Sequence, residues 1–189
     1  MTVAFIDDSP EQIAAVRESC PRVRIIPVRG KTRKRQWIPS GGLPASVGAR
    51  PCSEAYIDVG AGIDRAAVDR ILGTLRGKGD TGLFDWGRTL AQVKGVNLDA
   101  ARGPREQEDV LRWAVGGASR LRMLRTMFAE LRRRGVSIAV LSNSPTCQKE
   151  GWRALLRRLI GGKVSWICGH GHKGRRLSRK AARLCVGRA

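Results

Sequence analysis

Residues 2–10 read TVAFIDDSP, an apolar run that ends in two acids, a serine and a proline. The apolar run predicts a buried β-strand, and the Ser-Pro pair predicts the start of a helix, which we place at 11–19. Pro21 ends that helix. A second strand is predicted at 23–28, where Pro27 suits the edge of a sheet better than its centre. The first 28 residues therefore predict a strand, a helix and an edge strand.

Strands and helices continue to alternate along the chain. Helical spacing of apolar residues predicts helices at 63–75, 119–134 and 173–184 and one around Trp152, and short apolar runs predict strands at 82–85, 136–141 and 164–168. Such alternation is typical of a parallel sheet covered by helices on both faces. We therefore predict a three-layer, Rossmann-like α/β fold whose ligand site lies beyond the carboxyl ends of its strands.

One segment interrupts the alternation. Residues 30–60 are rich in glycine, proline and basic residues and have no sustained periodicity, so we interpret them as a linker or an extended loop. The 189 residues have the size of one domain. We predict a single domain, 1–189, in which 1–28 precedes a linker plus helix at 29–80 and the remaining elements occupy 81–189.

The chain is strongly basic, with 36 Lys and Arg against 16 Asp and Glu and a formal charge of +20. This charge predicts a polyanionic partner such as nucleic acid, although drift toward an arginine-rich surface is an alternative. A basic run followed by tryptophan could grip phosphates and stack a base, or could be a solvated charge run. Its residues are Lys31, Arg33, Lys34, Arg35 and Trp37.

The sequence also bears on compartment and on zinc. No apolar run approaches the length of a membrane span, so we expect no membrane partner. The five cysteines are odd in number and scattered, which does not indicate a disulfide framework, so we expect an intracellular, reducing compartment.

Cys168, His170 and His172 are zinc-ligand types, but a second ligand pair is not evident and a zinc site is the less favoured interpretation.

Three predicted strands end in polar residues that carry chemistry. Asp7 and Asp8 follow the first strand, Asp85 ends another, and Ser142 and Asn143 follow a third. Because the carboxyl ends of parallel strands meet at one edge of a sheet, we expect these side chains to converge. The alternative is that the acidic pair and the serine are simply helix N-caps.

These segments resemble motifs of the haloacid dehalogenase (HAD) hydrolases. Residues 84–90, FDWGRTL, resemble the first motif, an apolar strand followed by Asp-x-Asp-x-Thr-Leu. Residues 140–144, VLSNS, resemble the second, and residues 4–10, AFIDDSP, resemble the fourth. Lys173, or alternatively Lys163, would be the lysine of the third motif. The resemblance implies the α/β fold of that superfamily.

The resemblance also implies a magnesium-dependent phosphohydrolase. Asp85 would be the nucleophile that attacks phosphorus and forms an acyl phosphate. Together with Asp7 and Asp8 it would hold Mg²⁺, which prefers hard oxygen ligands. Three residues would bind the phosphoryl oxygens, and two of them, Ser142 and Lys173, would also assist catalysis. The three are Ser142, Asn143 and Lys173.

The motif order differs from that of most family members. The usual order is nucleophile, serine, lysine and acidic pair, whereas here the acidic pair comes first and the lysine last. A circular permutation explains this, because opening the chain between the lysine helix and the acidic-pair strand moves that strand to the beginning. Residues 29–80 would then connect the edge strand at 23–28 to the strand that ends in Asp85, and these two strands would lie at the two ends of the unpermuted chain.

The main departure from the family is Gly87. Phosphatases of this type usually have an aspartate there, which protonates the leaving group, and losing a general acid typically costs about 10²–10⁴ in rate. The protein is then either a slow or specialised enzyme, or a non-catalytic structural or nucleic-acid-associated binding protein. Asp85 and Ser142 are 57 positions apart (142 minus 85), which leaves little room for a cap and predicts an open site for large substrates.

Overall fold

The computed structural model describes residues 1–30, 35–37, 56–94, 103–143, 145–169 and 173–180. Strands β1 to β8 within these ranges span, in order, Val3–Asp7, Arg24–Pro27, Arg35–Trp37, Tyr56–Asp58, Thr81–Phe84, Val93–Lys94, Ser137–Ser142 and Ser165–Cys168. Helices α1 to α6 span Pro10–Ser19, Arg65–Thr74, Gly103–Ala114, Ala118–Arg133, Glu150–Ile160 and Lys173–Lys180. A short 3₁₀ helix covers Pro145–Gln148.

Five parallel strands form the main sheet in the order β2-β1-β5-β7-β8. The predicted α/β fold with a parallel sheet is therefore confirmed. Strand β2 lies at the sheet edge, as Pro27 predicted, because proline has no N–H to donate to a further strand. The carboxyl ends of β1, β5 and β7 lie side by side at one edge of the sheet.

Helices cover both faces of this sheet, and alternate residues of β1 show why. Phe5 packs in a buried cluster with Val16 of α1 and Leu177 of α6. The neighbouring Ile6 points to the opposite face and joins a larger buried cluster that includes Leu124 of α4. Burying a large apolar side chain stabilises the fold by about 1.5–3 kcal/mol, so the two clusters fix the three layers.

The segment that we predicted to be a linker contains two strands. Strand β3 pairs antiparallel with β4, and β4 pairs antiparallel with β6, which gives a small three-stranded sheet. The Asp58 N–H donates to the Gln92 carbonyl at 2.9 Å and continues the pairing of β4 with β6, and the Gln92 N–H donates to the Ala114 carbonyl of α3 at 2.9 Å, which ties this sheet to the main body. Predicting no regular structure was wrong for β3 and β4, because a three-residue strand is too short to show a periodicity.

A disulfide joins Cys147 in the 3₁₀ helix to Cys168 at the end of β8. The scattered cysteine positions did not indicate this bridge, because pairing depends on which elements are neighbours in space. The bridge does not decide the compartment, which stays a prediction. In the part of the chain that the structure describes, no helix is both long and apolar enough to cross a membrane.

Candidate active site

Three carboxylates meet at the carboxyl edge of the main sheet. Asp7 is the last residue of β1, Asp8 follows it, and Asp85 follows β5. Because Ile6 pairs in register with Phe84 on the adjacent strand, the acids leave the sheet side by side. Ligand oxygens of Asp7, Asp8 and Asp85 all lie within 4.8 Å of one another. The structure thus brings together the acids that the sequence predicted to converge.

Lys173 links two of these carboxylates. Its Nζ donates to Asp7 Oδ2 at 2.6 Å and to Asp85 Oδ1 at 2.5 Å. All three side chains are less than a tenth exposed. Lys173 begins α6, and its backbone N–H donates to Gln12 Oε1 of α1 at 2.9 Å. The alternative, Lys163, is exposed between α5 and β8, so the structure places Lys173 at the acids.

The close packing of α6 on α1 depends on Gly174. A Cβ at this position would overlap the carbonyl oxygen of Ala15 and would lie 2.8 Å from Ser19 Oγ. A backbone carbonyl cannot move aside without displacing its helix, so the position requires glycine. The location of the Lys173 ammonium therefore depends on the next residue in the chain.

The Asp85 carboxyl has an unusual environment. Burial raises its pKa to about 6, the positive charge of Lys173 opposes this shift, and the negative charge of Asp7 adds to it. At neutral pH the carboxyl is still mainly ionised. Since an ionised carboxylate is the form that attacks phosphorus, Asp85 is available as a nucleophile.

The turn after Asp85 is fixed by backbone hydrogen bonds and by an arginine. The N–H groups of Leu90 and Ala91 both donate to the Trp86 carbonyl, at 3.1 and 2.9 Å. Arg120 of α4 donates to four backbone carbonyls, those of Ile63, Thr89, Leu90 and Val115. Burial lowers the pKa of Arg120 to about 10, which still leaves the guanidinium charged at neutral pH.

A second cation borders the site from within this turn. Arg88 has a φ of 60°, the left-handed region that side chains rarely adopt, and is the one non-glycine residue with positive φ in the described ranges. Its Nε lies 3.1 Å from Asp58 Oδ2, and its Nη1 lies 3.6 Å from Asp8 Oδ2. The last residue of β4 therefore connects the small sheet to the acid cluster.

The donor set fits a hard divalent cation. Among the described residues, four carboxylates with side chains less than a tenth exposed face two cationic side chains, so the formal charge of these six groups is minus two when all are ionised. Carboxylate oxygens are ligands that Mg²⁺ prefers, although they do not identify that ion. The acids are Asp7, Asp8, Asp58 and Asp85, and the cations are Lys173 and Arg88.

The predicted phosphate-binding residues lie at the same edge. Ser142 ends β7, which is adjacent to β5, and is 2% exposed. Its carbonyl accepts from the Gly169 N–H at 3.3 Å. Asn143 follows it and is half-buried. Gly87 lies in the turn two residues after Asp85 and offers no side chain that could donate a proton.

The structure does not test whether the five predicted residues contact nucleic acid, so this assignment stays a prediction. Arg35 and Trp37 lie in β3, in the small sheet. The other three lie outside the described residues; they are Lys31, Arg33 and Lys34.

The structure removes Cys168 from the three candidate zinc ligands. The sulfur of Cys168 is bonded to Cys147, and a disulfide sulfur is not the thiolate that zinc requires. His170 and His172 lie outside the described residues. Asp7, Asp8 and Asp85 form the group of possible metal ligands found within the described ranges.

Two residues at the site were missed by sequence reasoning. Asp58 lies in the supposed linker, and Arg88 lies inside the first motif without an assigned role. No signal in the sequence links positions 58 and 88, because their contact arises when β4 packs beside the turn after Asp85.

Comparison of the chain with protein-family models, with curated proteins and with solved structures gave no match. The functional interpretation therefore depends on the motifs and on the geometry of the site. The relation to HAD hydrolases stays an inference from these two sources.

Proposed function

We propose that the protein is a HAD-like, magnesium-dependent phosphohydrolase that uses Asp85 as its nucleophile. One observation carries the proposal: three carboxylates and a lysine from distant parts of the chain converge at the carboxyl edge of a parallel sheet. The lysine donates to both Asp7 and Asp85, 166 and 88 residues away in sequence. A helix N-cap needs neither this convergence nor a buried lysine.

The strand order supports the proposed circular permutation. The acidic-pair strand β1 lies between the edge strand β2 and the nucleophile strand β5, and the serine strand β7 lies on the other side of β5. Helix α6, which carries the lysine, packs on α1, the helix that follows β1. This adjacency is what the permuted order requires, since strand ends meet regardless of chain order.

The side chains divide the chemistry among them. An Asp85 oxygen would attack phosphorus to form an acyl phosphate, which water then hydrolyses. The Lys173 ammonium orients Asp85 and offers positive charge to the phosphoryl oxygens, and the Ser142 hydroxyl offers a hydrogen bond. Mg²⁺, when bound by the three acids, would neutralise phosphate charge. The basic chain favours a large or polyanionic substrate.

Gly87 favours a second candidate, a non-catalytic protein of the same fold that binds nucleic acid or has a structural role. Glycine can neither protonate a leaving group nor activate water. On this interpretation the acids and the lysine stabilise the fold and bind ligands without turnover.

Turnover of p-nitrophenyl phosphate with Mg²⁺ separates the two candidates. We expect activity in the wild type that Asp85→Asn abolishes. Gly87→Asp is a feasible third variant, since Gly87 is not among the glycines with positive φ. Activity that appears only in Gly87→Asp would support the non-catalytic candidate, and no turnover in any variant would contradict the phosphohydrolase.

A second measurement tests the metal site without turnover. A ligand that binds only the folded state at about 100 times its Kd stabilises that state by about 2.7 kcal/mol. We therefore expect Mg²⁺ to raise the melting temperature of the wild type and not that of Asp7→Asn. Asp69→Asn, at an exposed position on α2, is the matched control and should respond like the wild type. An unresponsive wild type would rule out the metal site.

A further inference from the structure

Among the residues that the structure describes, none is placed to donate the proton that an alcohol needs when it leaves. Gly87 stands where that donor would be. Lys173 already donates to two carboxylates. The nearby residue 88 is an arginine, and an arginine side chain does not serve as a general acid in proteins. With the described groups alone, a leaving group at this site would depart as an anion.

Arg88 is placed to meet that anion. Its side chain is 28% exposed, while the carboxylates of Asp58 and Asp8 beside it are almost fully buried. The guanidinium has five N–H donors, more than these two contacts use. It therefore presents positive charge at the border of the acid cluster and next to the nucleophile turn.

The backbone at Arg88 indicates that the side chain itself is needed. A left-handed conformation costs free energy in any residue with a Cβ, and glycine would adopt it without that cost. Arginine nevertheless occupies the position and is held there by the buried Asp58 carboxylate. Such strain is typical of positions where a side chain must face a ligand.

We propose, on the basis of the function proposed above, that the substrate is a phosphoric anhydride and that Arg88 binds its leaving phosphate. Asp58 is the positioning residue that orients Arg88. The second pKa of a phosphate ester is about 6, whereas that of a phenol such as tyrosine is about 10 and that of water is about 16. A phosphate therefore leaves without a proton, and its charge suits a planar guanidinium.

The steps balance without an added acid. An Asp85 oxygen forms a bond to the terminal phosphorus, and the bridging P–O bond breaks. The bridging oxygen keeps the electron pair, and the phosphate leaves beside Arg88 as a dianion, which for pyrophosphate is hydrogen phosphate that already carries a proton on another oxygen. Water then attacks the aspartyl phosphate, and the Asp85–phosphorus bond breaks. The second phosphate is released, the carboxylate is restored, and the surplus proton of the water passes to solvent.

Three substrates with Mg²⁺ test the anhydride preference: inorganic pyrophosphate, p-nitrophenyl phosphate and glycerol 2-phosphate. We expect wild-type kcat/KM to be highest for pyrophosphate and at least about 10²-fold lower for glycerol 2-phosphate, which needs an acid. Gly87→Asp should raise kcat/KM for glycerol 2-phosphate by about 10²–10⁴ and leave kcat/KM for pyrophosphate almost unchanged, because kcat/KM covers the steps up to release of the leaving group and not the later attack by water. A wild type that hydrolyses pyrophosphate and glycerol 2-phosphate equally well would overturn the proposal.

Variants at Arg88 and Asp58 test the leaving-group contact. Arg88→Gln should lower pyrophosphate turnover by about 10²–10³ and p-nitrophenyl phosphate turnover less, so the ratio of the two falls. Asp58→Asn should shift this ratio in the same direction by a smaller factor, which a loss of folded protein alone would not do. Arg122→Gln, at an exposed position on α4, is the control and should keep the ratio. An unchanged ratio in Arg88→Gln would refute the assignment.

A binding measurement decides the role of Arg88 even without turnover. We expect calorimetry with Mg²⁺ to show that Arg88→Gln weakens the binding of imidodiphosphate by about tenfold or more. The affinity for inorganic phosphate should be almost unchanged. Equal weakening of both ligands would mean that Arg88 binds the transferred phosphoryl group instead. If the wild type turns over no substrate but its binding of imidodiphosphate depends on Arg88, the phosphohydrolase proposal is contradicted and the contact between Arg88 and a phosphate is supported.

Discussion

Lys173 lies between two carboxylates that the sheet edge brings close together. The Asp7, Asp85 and Lys173 side chains are each less than a tenth exposed. Removing one partner from a buried ion pair leaves an uncompensated charge and costs about 3–5 kcal/mol. Substitutions among these three residues therefore change stability as well as chemistry, so activity and unfolding must be measured together.

A different aspartate fixes the start of the central strand. The Asp80 carboxylate accepts from the backbone N–H groups of Thr2, Arg76 and Gly77, at 2.6, 2.9 and 3.3 Å. Burial raises the pKa of Asp80, but these hydrogen bonds together outweigh burial and hold the pKa below its ordinary value of 3.8. A carboxylate with a lowered pKa stabilises the folded state above the unfolded pKa, and this contribution disappears as pH falls through the folded pKa.

Asp80→Asn should therefore lower the free energy of unfolding at pH 7 by about 1.5–3 kcal/mol, the usual contribution of hydrogen bonds to a charged group. The difference from the wild type should shrink as pH falls below the ordinary pKa of 3.8, where the unfolded state binds protons first, and should disappear as pH falls through the lower folded pKa. Denaturant titrations between pH 7 and pH 3 measure both effects. Asp109→Asn, at a half-exposed position on α3, is the control. A difference that is the same at pH 3 and pH 7 would contradict this account.

At the level of elements, the packing of α6 on α1 positions the lysine. Gly174→Ala should destabilise the protein by about 1–3 kcal/mol, because its Cβ would overlap the Ala15 carbonyl, and it should lower activity by moving Lys173. Gly73→Ala in α2 is the matched control, since a Cβ there has no neighbour within 4 Å. It should stabilise the protein by about 0.5–1 kcal/mol and keep activity. Equal effects of both changes on unfolding would exclude the close-packing argument.

The disulfide ties the segment after β7 to β8. Cys168 pairs in register with Ser142, so the bridge lies beside a predicted phosphate-binding residue. A bridge that joins residues 21 apart stabilises the folded state by about 3 kcal/mol in the chain-entropy model. The double variant Cys147→Ala, Cys168→Ala should lose about that much under oxidising conditions, measured by denaturant unfolding. Peptide mapping that finds both thiols free in the oxidised wild type would rule out the bridge.

Across the whole molecule, the charge of +20 predicts salt-sensitive binding of nucleic acid. The logarithm of the association constant should fall linearly with the logarithm of salt concentration, with a slope of about −0.9 for each duplex phosphate neutralised. Fluorescence anisotropy of a labelled duplex measures this slope. Binding that is absent, or that does not change with salt, would remove nucleic acid as a partner.

The basic run needs its own variant. Replacing Lys31, Arg33, Lys34 and Arg35 by glutamine should make the salt dependence of duplex binding less steep. The effect should be larger than that of an equal charge change at exposed sites of the helices. A suitable control set, by exposure, is Arg65, Arg105, Arg122 and Arg157. Equal reductions would mean that net charge rather than the run binds the duplex.

Prediction from sequence succeeded where a pattern lies within consecutive residues. The helix predicted at 63–75 is Arg65–Thr74, and the one predicted at 119–134 is Ala118–Arg133. Helix α3, Gly103–Ala114, was missed because its buried residues lie only in its last turns. Strands β3 and β4 were missed because each is only three residues long and is stabilised by pairing, β3 with β4 and β4 with β6, rather than by a pattern in its own sequence.

The sequence by itself determined the parallel α/β sheet and the acids at its strand ends, because hydrophobic periodicity and the residues that end a strand are local properties. Only the tertiary structure decided that Lys173 rather than Lys163 meets those acids, and that Asp58 holds Arg88. The physical reason is distance along the chain: Lys173 and Asp7 are 166 residues apart, and only the packing of the helices brings their side chains within hydrogen-bonding range.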